Sequence, residues 1–143
     1  SVTWMGLPSF GKMHIPSCDF AAMISPRMFE EFGLPLLRDE VKPMTHNIFH
    51  VDGKGVLKHL DLILSVPEIR AVQWVQGMGL DMPILQWVPL LKRLQAAGKS
   101  IVIDLQLGEL EDFITAMEPE GLLLCLAADE DIQPAIIKRV ERW

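Results

Sequence analysis

Tyrosine is absent from the 143 residues, and there are only two cysteines, Cys18 and Cys125. Two cysteines so far apart, with no signal peptide before them, do not make a disulfide framework, and the expectation is a protein of the reducing cytoplasm. No apolar run approaches the roughly 18 residues of a bilayer span, so no membrane partner is expected. Basic charge is also short: 13 Lys and Arg against 19 Asp and Glu give a net charge of −6. The basic residues are scattered rather than gathered into a stripe, which argues against nucleic acid as a partner. Neither G-x-G-x-x-G nor G-x-x-x-x-G-K-[ST] occurs, and "GKG" at 53–55 and "GMG" at 77–79 are too short to cradle a phosphate. No linker, low-complexity tract or residue-level repeat divides the chain. It opens "SVTWMG" without an initiator methionine, which suits a processed protein or an internal piece of a longer one.

Apolar residues are what the chain has in quantity. Half of it is hydrophobic and the mean hydropathy is +0.26. The length suits a single domain over 1–143 with a real core, and the apolar surplus must pack inside it or against something the chain does not contain. The periodicity alternates. Apolar segments in "KMHIPSC", "PMTHNIFHV", "IRAVQWV", "SIVIDLQ" and "GLLLCLA" read as strands. Between and after them, "RMFEEFGLPLLRDEV", "VLKHLDLIL", "ILQWVPLLKRLQAAG", "ELEDFITAM" and "IQPAIIKRVERW" read as helices. Pro89 should kink or shorten its helix, which closes on Gly98. The strands are continuous apolar runs, so both faces are expected to be buried in a parallel sheet with right-handed crossovers. A doubly wound sheet and part of a barrel both fit. The missing phosphate-binding turns put the barrel ahead: an α/β fold, a partial (β/α)8 TIM barrel of about five units.

In either architecture ligands bind beyond the carboxyl ends of the strands. The strand-end inventory is Cys18 and Asp19, His50 and Asp52 with Gly53 and Gly55, Gln76, Asp104 and Gln106, and Cys125 with Asp129. In "NIFHVDGKG" the period of a strand puts Ile48, His50 and Asp52 on one face, before glycines that allow a sharp turn or close approach of a ligand. A plainer reading makes His50 and Asp52 a hydrogen-bonded pair closing that turn. Asp104 and Gln106 share a face, and a buried strand aspartate is costly unless paired. Cys125, inside "LLLCLA", also reads as a small apolar core residue. Gln73 and Gln76 flank Trp74 and read as satisfying backbone groups near the loop, and His59 reads as a helix-surface residue.

"CDFAAMISPRMFEEFGLPLLRDEV", "HVDGKGVLKHLDLIL" and "IRAVQWVQGMG", with the closing "ADEDIQPAIIKRVERW", resemble the carboxyl-terminal part of the uroporphyrinogen decarboxylase superfamily. That superfamily includes methyltransferases that move methyl groups between a corrinoid and a thiol. The resemblance implies the later part of a (β/α)8 barrel, lacking its first three or so units. In the methyltransferase branch the strand matching 47–53 ends in a His-x-Cys zinc pair, with a further cysteine from a later strand. Here His50 matches, Asp52 stands in the cysteine position, and Cys125 lies near the later one. Zinc accepts nitrogen, oxygen and sulfur, so His50, Asp52 and Cys125 form a candidate metal set, though carboxylate for thiolate makes the ion harder. The decarboxylase branch needs no metal. It relies on an aspartate of the first barrel strand, absent here, and on a tyrosine this chain lacks.

The resemblance implies three functions. Methyl transfer, with zinc and a corrinoid or corrinoid protein, leads because of His50. The second is a cofactor-free lyase acting on a tetrapyrrole or other small molecule. The third is a non-catalytic partial barrel that completes a cylinder in trans. Asp52 and Asp104 are the candidate catalytic residues; Cys18, Asp19, Gly53, Gln76 and Gln106 are the candidate substrate contacts. Five units cannot close a barrel, so a homo-oligomer or a completing partner chain is expected, with an interface on Ile48, Val75, Ile103 and Leu124.

Overall fold

The structure is a computed structural model and describes residues 2–143. Its framework is five parallel strands: β1 (Met13–His14), β2 (His46–Asp52), β3 (Ile69–Val75), β4 (Ser100–Asp104) and β5 (Leu122–Cys125), hydrogen-bonded in the order β1-β2-β3-β4-β5. Each apolar run forms the strand it predicts. The first is cut to two residues because Pro16 has no N–H to donate; its carbonyl still accepts from His50 N at 2.9 Å.

The helices are α1 (Pro26–Met28), α2 (Leu34–Val41), α3 (Leu60–Leu64), α4 (Val88–Ala96), α5 (Leu110–Ala116) and α6 (Gln133–Val140). A π-helical turn, Phe29–Gly33, joins α1 to α2. Pro89 and Pro134 sit in the first turns of α4 and α6, where a missing N–H costs nothing, so Pro89 starts its helix rather than kinking it. Gly98 ends α4 at φ +70°, with Lys99 N donating to Leu94 O at 3.1 Å and Gly98 N to Gln95 O at 2.8 Å, the paired bonds of a Schellman cap.

All the helical packing is on one side of the sheet. Phe49 and Val51, Val72 and Trp74, Ile101 and Ile103 alternate along their strands into one core with Leu37, Leu60, Ile63, Leu91, Leu94 and Phe113. Ile48 and Val102 are buried too, but they point the other way and lie outside that core. The expectation of two equally buried faces is therefore corrected. One face is covered by helices; the other carries exposed Asp52, Asp104, Leu123 and Cys125 towards its carboxyl end and open edge. The strand order never reverses, so the sheet lacks the switch point of a doubly wound fold.

Candidate functional site

The register fixes which side chains share the helix-free face. His50 pairs with Gln73, Gln73 with Val102, and Val102 with Leu123, making one row. Two residues further on, Asp52 pairs with Val75, and Asp104 with Cys125. His50, Asp52, Asp104 and Cys125 thus lie at the carboxyl end on the same side of the sheet. No Lys or Arg occupies this face of β2 to β5 in those rows.

His50 is the best-defined member. Its Nδ1 is 2.6 Å from Oε1 of Gln73, across the β2–β3 ladder. Its Nε2 has no hydrogen-bond partner among the described residues. The ring of Trp4 stands edge-on to it, with centroids 5.5 Å apart and planes at 78°. Asp52 is exposed two residues on, before a turn in which Gly53 takes φ +73° and ψ 170° and donates its N–H to Val75 O at 2.8 Å. His50 and Asp52 do not pair with each other to close that turn; Gln73 is the histidine's partner.

At the other side of the row, partial desolvation by neighbouring side chains and then the charge of Asp104 push the Cys125 thiol above its ordinary range. Cys125 is exposed, not the core residue that its apolar neighbours suggest. Its companion Leu124 takes the inward position.

Several candidate contacts have structural duties. Gln76 is buried; its amide donates to Met82 O at 2.9 Å and Asp104 O at 3.3 Å, fastening the loop after β3 to β4. Gln106 is exposed and starts the 3-10 turn Leu107–Glu109, whose last N–H bonds to its carbonyl at 2.9 Å. Cys18 packs against the helix-side core, bordering a cavity of about 120 Å³ with Phe29 and Phe49, so its thiol is not grouped with His50. Asp19 is exposed in the turn that follows.

The candidate metal set is not brought together. His50 and Cys125 belong to β2 and β5, with β3 and β4 between them. At about 4.8 Å per strand they are roughly 14 Å apart along the sheet. Among the described residues no group of three His, Cys, Asp or Glu side chains is placed to hold a metal ion.

The loops beyond the carboxyl ends carry exposed apolar side chains: Phe20 and Met23 after β1, Met78 and Leu80 after β3, Leu107 after β4. Met78 and Leu80 are 84% and 94% exposed. The loops themselves are tied down, by Lys54 to Asp81 at 2.8 Å and by the Trp87 indole N–H to Asp81 O at 2.8 Å. Exposed apolar side chains thus stand in the loops at the same end of the sheet as the acceptors His50, Asp52 and Asp104.

Sequence reading gave Gln73 a backbone role that only Gln76 fills, and did not name Trp4. For Gln73 the signal is there, a polar residue inside the buried run "AVQWV"; for Trp4 there is none. Comparison with family models, curated proteins and solved structures finds no match for the chain. No helix among the described residues is long and apolar enough to cross a membrane.

Proposed function

We propose that the chain is the carboxyl-terminal part of a (β/α)8 barrel of the uroporphyrinogen decarboxylase type, and that its carboxyl-end rim receives a tetrapyrrole-type macrocycle. The observation that carries this reading is the unreversed parallel order with helices on one face only and the acceptor groups at the carboxyl end of the other. A barrel interior has that polarity, and its ligands enter at that end. A macrocycle is also the chemistry common to both branches of the superfamily. The exposed apolar side chains of the rim suit its flat faces, and His50 Nε2, Asp52 and Asp104 suit donors at its centre or edge.

Between the branches, the residues of this chain do not complete a zinc site. His50 and Asp52 supply two donors, Cys125 is out of reach, and among the described residues no third donor stands beside them, so no step is assigned to zinc. A corrinoid, when bound, supplies a transferable methyl group. Towards it this chain offers apolar walls and the acceptor face of His50. For a lyase the acceptors suit pyrrole N–H groups, while the bases that would neutralise substrate carboxylates must come from the remaining strands. Those strands come from further chain or from a second copy.

Absorbance titration of cobalamin and of uroporphyrin into the chain tests the reading. A spectral shift with saturable binding, weakened at least tenfold in Asp104→Asn and Met78→Asp, is expected. Binding of neither macrocycle, or binding indifferent to both substitutions, overturns it.

A further inference from the structure

Gln73 is 7% exposed, in the middle of β3, between two core residues, Val72 and Trp74. A strand-centre amide turned away from the helices contributes nothing to the core and is costly to bury unless it pairs. Its pair is the imidazole of His50, with Oε1 at 2.6 Å from Nδ1. The contact is set by register, since residues 50 and 73 are direct partners across the ladder.

An amide oxygen only accepts, and a neutral imidazole carries its proton on one nitrogen alone. Because the amide is oriented with Oε1, and not its NH2, against Nδ1, the proton belongs on Nδ1; the reversed amide would put it on Nε2. Free histidine favours the other tautomer, with the proton on Nε2. We propose that Gln73 is a positioning residue that reverses this preference, holding His50 as the Nδ1–H tautomer so that the Nε2 lone pair is offered to the rim beside Trp4. Held imidazoles of this kind present a fixed lone pair to a ligand or an exchangeable proton.

The consequence is a ligand class. His50 Nε2 and the carboxylates of Asp52 and Asp104 are then all acceptors, with no cationic side chain in their rows. The ligand atoms that meet them are donors: N–H, O–H or S–H. The identity of the ligand as a macrocycle or its thiol co-substrate rests on the function proposed above; the tautomer does not.

The test is side-chain nitrogen NMR of His50 in the full chain, at a pH where the ring is neutral. The expected spectrum has Nδ1 in the protonated range and Nε2 in the unprotonated range. Gln73→Leu should move the ring toward the Nε2–H tautomer, and Gln73→Glu, which keeps an acceptor in place, should restore it; the backbone amide spectrum reports folding in both. An Nε2–H ring in the parent overturns the inference, as does a folded Gln73→Leu chain with an unchanged tautomer. Should Gln73→Leu fail to fold, the parent and the glutamate variant decide. An Nδ1–H ring without macrocycle binding removes only the proposed function. Macrocycle binding with an Nε2–H ring removes only this inference.

Discussion

The ring of His59 lies 4.7 Å from that of Phe29, and its Nε2 donates to the carbonyl of Ala21 at 2.7 Å. His59 is fully buried and ties the turn after β2 to the turn after β1, the two loops that carry Gly53 and Asp19. Replacing it by alanine removes a buried ring and a hydrogen bond, although Ala21 O keeps the amide of Ile24 at 3.3 Å. By analogy with other buried rings, His59→Ala should cost about 3 kcal/mol, and the bulkier His59→Leu clearly less. Urea unfolding of both variants measures this. Equal losses would show that the hydrogen bond, not the packing, carries the site.

The same residue shows where sequence reading fails. A helical period of 3.6 over 56–64 puts Val56, Leu57, Leu60 and Leu64 together and leaves His59 outside. The structure winds Lys54–His59 as a 3-10 helix, whose period of three brings Val56 and His59 to one side, and Ile63 joins them from α3. Strand identity was legible because branched and apolar runs are long and turn-bounded. The helix end at Gly98 was legible because it follows from backbone chemistry alone, whereas Pro89, expected to kink or shorten its helix, sits in the first turn of α4, and Pro134 was not read. Register was not: the His50–Gln73 pair joins residues 23 apart, and no local pattern announces it. Nor were faces. Ile48 and Val75 lie on the helix-free side, whereas Ile103 and Leu124 turn into the helix-side packing, so the four do not form one interface.

Gly53 provides a backbone test. Its φ of +73° with ψ of 170° is a region open to glycine alone, yet a Cβ there would meet no atom within 4 Å. Gly53→Ala should therefore cost about 1–3 kcal/mol through conformation rather than collision. Gly108, which also has open space and no positive φ, is the control, and Gly108→Ala should be near neutral. Similar midpoints for the two variants in chemical unfolding would show that the turn after Asp52 relaxes freely.

Cys125 provides a pH test. Desolvation and then the carboxylate of Asp104 raise its thiol above the ordinary 9.0, so less of it is thiolate at mildly alkaline pH. Alkylation by iodoacetamide, followed by peptide mass to separate it from Cys18, should be slower than for an unhindered thiol, and Asp104→Asn should speed it. The sign for stability follows. Above pH 9 the unfolded chain loses this proton first, so the folded state binds more protons and this group's contribution falls as pH rises. Lys99 acts in the opposite sense: burial lowers it below 10.5, and its contribution rises with pH as the unfolded lysine deprotonates. Unchanged alkylation in Asp104→Asn would place the carboxylate and the thiol farther apart than the register has them.

The open edge of the sheet bears on assembly. β5 pairs only with β4 among the described residues, and beside it Leu124, Leu126, Ile136, Val140 and Trp143 line an apolar groove of about 390 Å³. Leu123, on the helix-free face, is 38% exposed. An unpaired parallel edge next to apolar surface is a site for strand addition, and about 25 cal/mol is gained per Å² of apolar area covered. If a second copy completes the proposed barrel, the chain should sediment as a dimer or larger closed assembly. Leu123→Asp, a charge set at that edge and away from the helix-side core, should shift the distribution to monomer with little change in circular dichroism. A parent chain that sediments as a well-behaved monomer would rule out completion of the proposed barrel in trans. A parent oligomer indifferent to Leu123→Asp would place the contact elsewhere than the β5 edge.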